Sequence, residues 1–341
     1  MKVLIVCSRN SGQIAPFILE QGDSLSKLGV DIEYFCIEGK GIGGYLKNRK
    51  RLIQKIRQYT PDIVHAHYGL SGLLANMQRH VPVVTTYHGS DINHPKVYPF
   101  SRLCMSLSVH NIFVSEKITP IPPIAIGTPR PLSSAIWRIL SPTGERQRKY
   151  SFWDLKKAVQ YSLIPCGVDT KLFTPGDKQQ ARKVLGLDAE KEYILFAGAF
   201  NTSVKNPDLA KAAVALLSNV ELLELSGYSR EQVALLLNAV DVVLMTSFTE
   251  GSPQIIKEAL ACNCPVVSVP VGDVPEMIEN ILGCFLTSYD PADISGKLRL
   301  ALDFGRLTEG RKRIEEMRLD GESVAERILE VYKGVRFNRK S

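Results

Sequence analysis

Residues 241–278 read DVVLMTSFTEGSPQIIKEALACNCPVVSVPVGDVPEMI. Two short apolar runs, DVVLMTS (241–247) and PVVSV (265–269), lack polar alternation, as expected of strands buried on both faces of a parallel sheet. Between them the pattern predicts a helix over 253–261, with Ser252 as N-cap and Pro253 at the first helical position. Asn263 suits a left-handed C-cap, and Pro265 prevents continuation. Strand, helix and strand in so few residues form a β-α-β unit and set the class as α/β.

The same alternation runs outward in both directions. Further strands are predicted at 3–7, 32–37, 62–67, 82–87, 111–115, 161–165, 193–198 and 284–287. Helices are predicted at 15–28, 46–59, 207–217 and 229–239. Strands and helices on this scale argue for doubly wound sheets. The alternation breaks at TPIPPIAIGTPRPL (119–132), with its five prolines, and at the turn-rich PCGVDTKLFTPGD (165–177). The expectation is two Rossmann-like domains, 1–165 and 166–320, facing across a cleft between their strand ends. A last segment, 321–341, follows.

Composition narrows the class. The 341 residues are 45% hydrophobic and 23% charged, with no apolar run near the ~18 residues that span a bilayer. The opening MKVLIVCSRN reads as a buried first strand, too short in apolar residues for a signal peptide. A cytoplasmic location is therefore expected, with the inner face of the membrane as a second station. The seven cysteines are scattered through apolar stretches and suit packed thiols. Cys262 and Cys264 have no second pair at ligand spacing, so no zinc is expected. Residues 1–165 hold 21 Lys+Arg against 10 Asp+Glu, and residues 166–341 hold 21 against 25. A basic first half beside a mildly acidic second half suggests that one domain faces something anionic.

Glu250 and Glu258 stand eight residues apart. Eight helical residues span about 12 Å, whereas paired glycosidase carboxylates sit roughly 5–9.5 Å apart. The two acids are expected to hold separate parts of a long ligand rather than act on one bond. Pro253 has no N–H, so the first free donors are the amides of Gln254 and Ile255, a ready phosphate cradle at a helix N-terminus. Taken alone, the stretch would equally suit an ordinary amphipathic helix with solvated glutamates.

The stretch EGSPQIIKEALACNCPVVSVPVGDVPE resembles the signature of the family 4 retaining glycosyltransferases, which have the GT-B fold. Those carry E-x7-E, a small-residue and Pro-Val-Val segment, then Gly-x-x-Pro-Glu; here these are Glu250 and Glu258, Pro265-Val266-Val267, and Gly272 to Glu276. Pro61 to His67 and Val81 to Asp91, which ends in His-Gly-Ser-Asp, are similar to two strands of that family. Ile164-Pro165-Cys166-Gly167-Val168-Asp169 is similar to its inter-domain segment, with Cys in place of Asn. VAERILEVYKGV (324–335) resembles its last helix, which crosses back to the first domain. The resemblance implies that Glu250 contacts the donor sugar, Glu258 the nucleotide ribose, and His88 the sugar at the anomeric carbon.

Three departures stand beside it. Ala199 follows Gly198 where the family usually places an arginine on the donor pyrophosphate, while Lys205 keeps a second cation. Lys205 to Glu250 is only 45 residues, so a β-α unit that often holds the base is missing. Residues 116–160 match nothing in the family pattern.

Other positions are less specific. Gly12, in the loop Ser8 to Gly12 between the first strand and first helix, is a candidate for backbone approach to donor phosphate or acceptor, or a plain turn glycine. No G-x-G-x-x-G is present, which disfavours a dinucleotide enzyme. His65 and His67 share a strand face, so a metal is conceivable, but nothing completes a ligand set. YLKNRKRLIQKIRQY (45–59) has no acidic residue and reads as a basic amphipathic helix for an anionic membrane surface or lipid pyrophosphate, or as a solvated face. Nucleic acid is not expected as a partner.

The expected function is retaining, metal-independent transfer of a hexose from a nucleotide-diphosphate sugar to a hydroxyl of a glycan or lipid-linked acceptor, in surface polysaccharide or lipopolysaccharide biosynthesis. Catalytic candidates are His88 and Glu250; donor-binding candidates are Gly12, Lys205, Ser252, Gln254, Ile255 and Glu258. No cofactor or metal is expected. Two alternatives stay open: a GT-B nucleotide-sugar epimerase, and a non-catalytic nucleotide-sugar-binding scaffold.

Overall fold

The computed structural model describes residues 1–10, 12–118, 159–305 and 307–337. The proline-rich stretch 119–132 and most of 116–160 lie outside the described residues. The first sheet comprises β1 (Lys2–Ser8), β2 (Asp31–Ile37), β3 (Ile63–His67), β4 (Val83–Tyr87), β5 (His110–Phe113) and β6 (Tyr161–Leu163). The second comprises β7 (Glu192–Phe196), β8 (Val220–Glu224), β9 (Val242–Met245), β10 (Val266–Ser268) and β11 (Phe285–Leu286).

All pairings within both sheets are parallel, in the orders β2-β1-β3-β4-β5-β6 and β11-β10-β9-β7-β8. In each sheet the first strand in the chain is second from one edge: the chain turns one way to its next strand, then crosses to the other side. The resulting switch points lie between β1 and β3, and between β7 and β9, and crevices for ligands open at the carboxyl ends of such strands.

Period-two alternation explains the layering. Along β1, Val3, Ile5 and Cys7 face one apolar layer, which includes Ile18 and Leu25 of the helix Pro16–Lys27. Leu4 and Val6 face the other, with Leu52, Ile56 and Leu74. In the second sheet Tyr193, Leu195, Val243 and Met245 face one layer, and Ile194, Phe196, Val242 and Leu244 the opposite one. The last helix, Gly321–Phe337, buries Val324, Ala325, Ile328 and Tyr332 against the first sheet's layer, not the second's.

Helices Gly69–Asn76, Tyr98–Leu107, Lys178–Leu185, Pro291–Phe304 and Gly310–Glu316 carry no stated expectation, and three other places also differ from the sequence reading. Strand β8, VELLE, carries no strand expectation, because Glu221 and Glu224 interrupt its apolar pattern; it is an edge strand, nowhere fully buried. The basic stretch 45–59 is two helices, Gly41–Lys47 and Arg49–Tyr59, joined at Asn48. Asn48 is buried, and its amide donates to the carbonyls of Glu38 and Gly44 at 2.9 and 2.8 Å, which holds the corner. The helix after β9 is Gln254–Ala261, with Pro253 as N-cap at φ −69°, ψ 121°. That extended ψ pushes the start one residue on, and Ser252 is not the cap: its hydroxyl donates to Asp273 at 2.5 Å.

Candidate functional site

The loop after β4 in the first sheet meets the loop after β9 in the second at backbone level. After β4, Gly89 turns at φ +103°, and the Asp91 carboxylate accepts from the amides of Gly69, His88 and Gly89 at 2.9, 3.0 and 3.1 Å. Burial still pushes the Asp91 carboxyl up to about 6. This loop lies against the loop after β9. A methyl group at Gly251 would stand 2.5 Å from the His88 carbonyl oxygen, and one at Gly89 would stand 2.9 Å from Gly251 Cα. Gly272 closes on the other side, where a Cβ would come within 2.5 Å of the Gly251 oxygen. Beside this contact Asn93 donates to the Thr249 hydroxyl at 2.9 Å.

The predicted residues of the second half converge here. Lys205 ends the turn Ser203–Lys205 after β7, and its ammonium lies 2.6 Å from Glu250 Oε1. Gly198 makes this possible, since a Cβ there would sit 2.8 Å from Lys205 Cγ. Next along the chain, Gln254 and Ile255 open the helix, where amides have no partner within the helix. The Gln254 side chain donates to the Gly167 carbonyl. Glu258, one turn further on, is 2% exposed and accepts from Arg230 at 2.7 Å. Glu250 and Glu258 thus have different cationic partners. Burial pushes the Glu258 carboxyl up, against the opposing pull of Arg230.

His88 and Gly12 are placed differently. The His88 ring turns inward: Nε2 is hydrogen-bonded with His67 Nδ1 at 3.0 Å, and Nδ1 lies 3.6 Å from Cys166 Sγ. It also packs on Phe17 and Tyr68, at 4.9 and 4.6 Å between centroids. Both ring nitrogens are engaged with protein, so the expected sugar contact through the ring is not available in this arrangement. What His88 presents to Gly251 is its carbonyl. Gly12, at φ +98° with nothing within 4 Å of a built Cβ, lies on the loop following β1, four residues before the helix starts at Pro16.

Lys257 is a residue the sequence does not flag. It is completely buried on the helix Gln254–Ala261, and its ammonium donates to the Cys166 carbonyl at 2.9 Å. The segment just after β6 is therefore stitched to this helix by Lys257 and by Gln254.

His65 and His67 stack at 4.7 Å between centroids. His65 is hydrogen-bonded with the Tyr332 hydroxyl on one side and, at 2.7 Å, with Thr86 on the other. Among the described residues, no group of three or more His, Cys, Asp or Glu is placed to hold a metal ion. Cys262 and Cys264 are both buried, and burial pushes the Cys262 thiol up to about 12. Burial drives His65 down to about 3, while an unfolded histidine titrates near 6.5. Unfolding then takes up a proton at this site between those values, so its contribution to stability falls as pH drops through that window. His65→Gln is expected to flatten the dependence of unfolding free energy on pH by about 1.4 kcal/mol per pH unit near pH 5. Denaturant titrations at several pH values measure this; an unchanged slope would mean that His65 carries a proton in the fold.

Two parallel, doubly wound sheets whose β4 and β9 loops touch at Gly89 and Gly251 make this an α/β protein of the GT-B architecture. Known proteins give the same result and add the family. Residues 2–119 match the family described as Glycosyltransferase Family 4, and residues 205–303 match Glycosyl transferases group 1. The chain belongs to the family 4 type of glycosyltransferases.

Among curated proteins, a D-inositol 3-phosphate glycosyltransferase of Mycolicibacterium vanbaalenii is 28% identical over 281 residues, covering 70% of this chain and 58% of the relative. One from Mycobacterium sp. (strain KMS) is 27% identical, covering 74% and 62%. The match thus spans about three fifths of these relatives' own length. Among solved structures, the sucrose-phosphate synthase of Thermosynechococcus elongatus superposes with a TM-score of 0.76 at 17% identity, covering 98% of this chain and 99% of that one. Anabaena HepE in complex with UDP-glucose does so at 0.69 and 16%, covering 98% and 100%.

Proposed function

We propose that this chain transfers a sugar from a nucleotide-diphosphate sugar to an acceptor hydroxyl, with retention at the anomeric carbon and without a metal. The observation that carries this reading is the Lys205–Glu250 pair at the β7/β9 switch point, next to the open amides of Gln254 and Ile255. Lys205 and those amides would neutralise the charge that develops on the departing diphosphate. Glu250 would hold the donor sugar and Glu258 the ribose. His88 would act through its carbonyl at the positive anomeric centre, its ring serving as a brace. Gly12 would line the opposite wall, where the first half's net positive charge suits an anionic or lipid-linked glycan. Closure of the halves would keep water from the donor. Uridine is the favoured base, supported by the UDP and UDP-glucose complexes of HepE.

The donor site is tested by saturation-transfer NMR with UDP-, GDP- and ADP-sugars. Wild type is expected to give signals with one nucleotide, and Glu258→Ala to lose them. Signals that survive in Glu258→Ala would move the ribose site elsewhere. Ala199, standing where the family usually has an arginine, favours one second reading, a scaffold that binds donor without turning it over. Turnover with any glycan acceptor excludes it.

Membrane contact at 45–59 is proposed in an electrostatic form. Leu52 and Ile56 are buried in the core, so the outward face of Arg49–Tyr59 is cationic rather than apolar. No helix among the described residues is long and apolar enough to cross a membrane. Vesicles containing anionic lipid should co-sediment the protein, neutral ones should not, and Lys50→Glu with Arg57→Glu should abolish the binding. Binding that persists at 1 M salt, where the screening length is about 3 Å, would rule out this electrostatic mode.

A further inference from the structure

Arg230 is the first residue of the helix Arg230–Ala239, fixed there by a capping box in which Ser229 and Gln232 serve each other's main chain. Its guanidinium lies 4.6 Å over the ring of Phe173, which is fully buried in the segment joining the two sheets. From that position it serves two carboxylates in different halves of the molecule. Nη1 donates to Glu258 at 2.7 Å; Nε donates to Glu20, on the helix Pro16–Lys27, at 2.8 Å. The side chains of Arg230 and Glu20 are 23% and 21% exposed, and that of Glu258 only 3%. A planar guanidinium can bind two carboxylates along two edges at once, which an ammonium on a flexible stem does poorly.

We infer that Arg230 is a positioning residue that orients Glu258 for the donor and clasps the second half of the molecule to the first through Glu20. Its donor-side role rests on the function proposed above; the clasp does not. Neither role is visible in the sequence, because Arg230 and Glu20 are 210 residues apart and nothing about their local spacing links them. The charges around the cluster are of mixed sign. Asp23 and Asp169 lie on the Glu20 side and Lys257 on the Glu258 side. Arg230 is the guanidinium shared by both carboxylates, so a change there reaches both halves.

The test compares wild type with Arg230→Ala, Arg230→Lys and Glu20→Gln, using UDP as the probe for calorimetric titration and small-angle scattering for the separation of the halves. Arg230→Ala should weaken UDP binding about ten- to a hundredfold, as expected for a lost charged hydrogen bond in a buried site, and should increase the radius of gyration. Arg230→Lys should recover most of the affinity while the halves stay apart, because one ammonium serves Glu258 but not both acids. Glu20→Gln should separate the halves with UDP affinity within about threefold of wild type, since the Glu258 pair survives; it also reports on the clasp should Arg230→Ala fail to fold. UDP bound equally by all four proteins would overturn the positioning role and leave the donor reading standing. UDP bound by none, wild type included, would overturn the uridine assignment and, with GDP and ADP also unbound, both the donor reading and the positioning role. Unchanged scattering in Glu20→Gln would overturn the clasp.

Discussion

Lys205→Ala is expected to slow sugar transfer about 10²- to 10³-fold, the usual cost of removing one preorganised charge donor from an active site. The expectation is at the high end because the site has little redundancy. Ala199 supplies no charge where the family usually has arginine, so beyond Lys205 the proposed diphosphate site has only the helix amides of Gln254 and Ile255. Lys205 is held by Glu250 at 2.6 Å and rests on Gly198, which leaves its ammonium at the mouth of the β7/β9 crevice. With the two side chains 25% and 17% exposed, losing the ion pair should cost about 1–3 kcal/mol of stability, more than a surface pair because Glu250 is left sheltered and unpaired. Activity and stability should therefore separate. Steady-state rates with the donor identified by NMR, set beside thermal melts, measure both. Lys205→Arg, which keeps the charge, should retain far more activity than Lys205→Ala. A Lys205→Ala protein that transfers sugar at the wild-type rate would place the diphosphate elsewhere.

What was legible in the sequence is what depends on neighbours in the chain. Strands β1, β7 and β9 have largely unbroken apolar runs because both their faces are covered, and that pattern needs no knowledge of the partner strand. The β9–helix–β10 unit reads directly from Pro253, Asn263 and Pro265. Glu250 and Glu258 do have different partners, but Glu250 lies in the loop before the helix, so the helical rise used to separate them does not apply. Contacts made at long range left no local trace. Lys257 reads as a solvated charge, yet it is buried because the Cys166 carbonyl, 91 residues away, accepts from it. The inward turn of the His88 ring depends on His67 and Cys166, which the fold brings to it from two other segments. Strand β8 escaped for the opposite reason: an edge strand needs only one good face, so its glutamates obscure the pattern.

Gly251→Ala is expected to reduce transfer about 100-fold while leaving UDP affinity nearly unchanged. The cause is steric and lies between the halves. Gly251 has a backbone conformation open to alanine, since its φ is not among the positive ones, so the substitution carries no intrinsic strain. Its methyl, however, would stand 2.5 Å from the His88 carbonyl oxygen and 3.3 Å from Gly89 Cα. Both are main-chain atoms pinned by Asp91, so neither can rotate aside as a side chain would. Relief comes from moving the two halves apart by a fraction of an ångström or more. A shift of about 1 Å at the reacting groups is enough to cost 100-fold in rate. Lys205, Gln254 and Glu258, by contrast, sit on the second half and would move with the donor. Gly272 does not probe this contact, because its Cβ would meet the carbonyls of Gly251 and Glu250 in its own half, and its φ of +54° adds strain to any side chain placed there. The measurement is kcat against UDP affinity for Gly251→Ala and wild type. A large fall in kcat with affinity held would show that transfer needs the halves as close as they stand here. A near-normal kcat would mean that the reacting enzyme works with its halves further apart, and that the Gly89–Gly251 contact belongs to the resting protein.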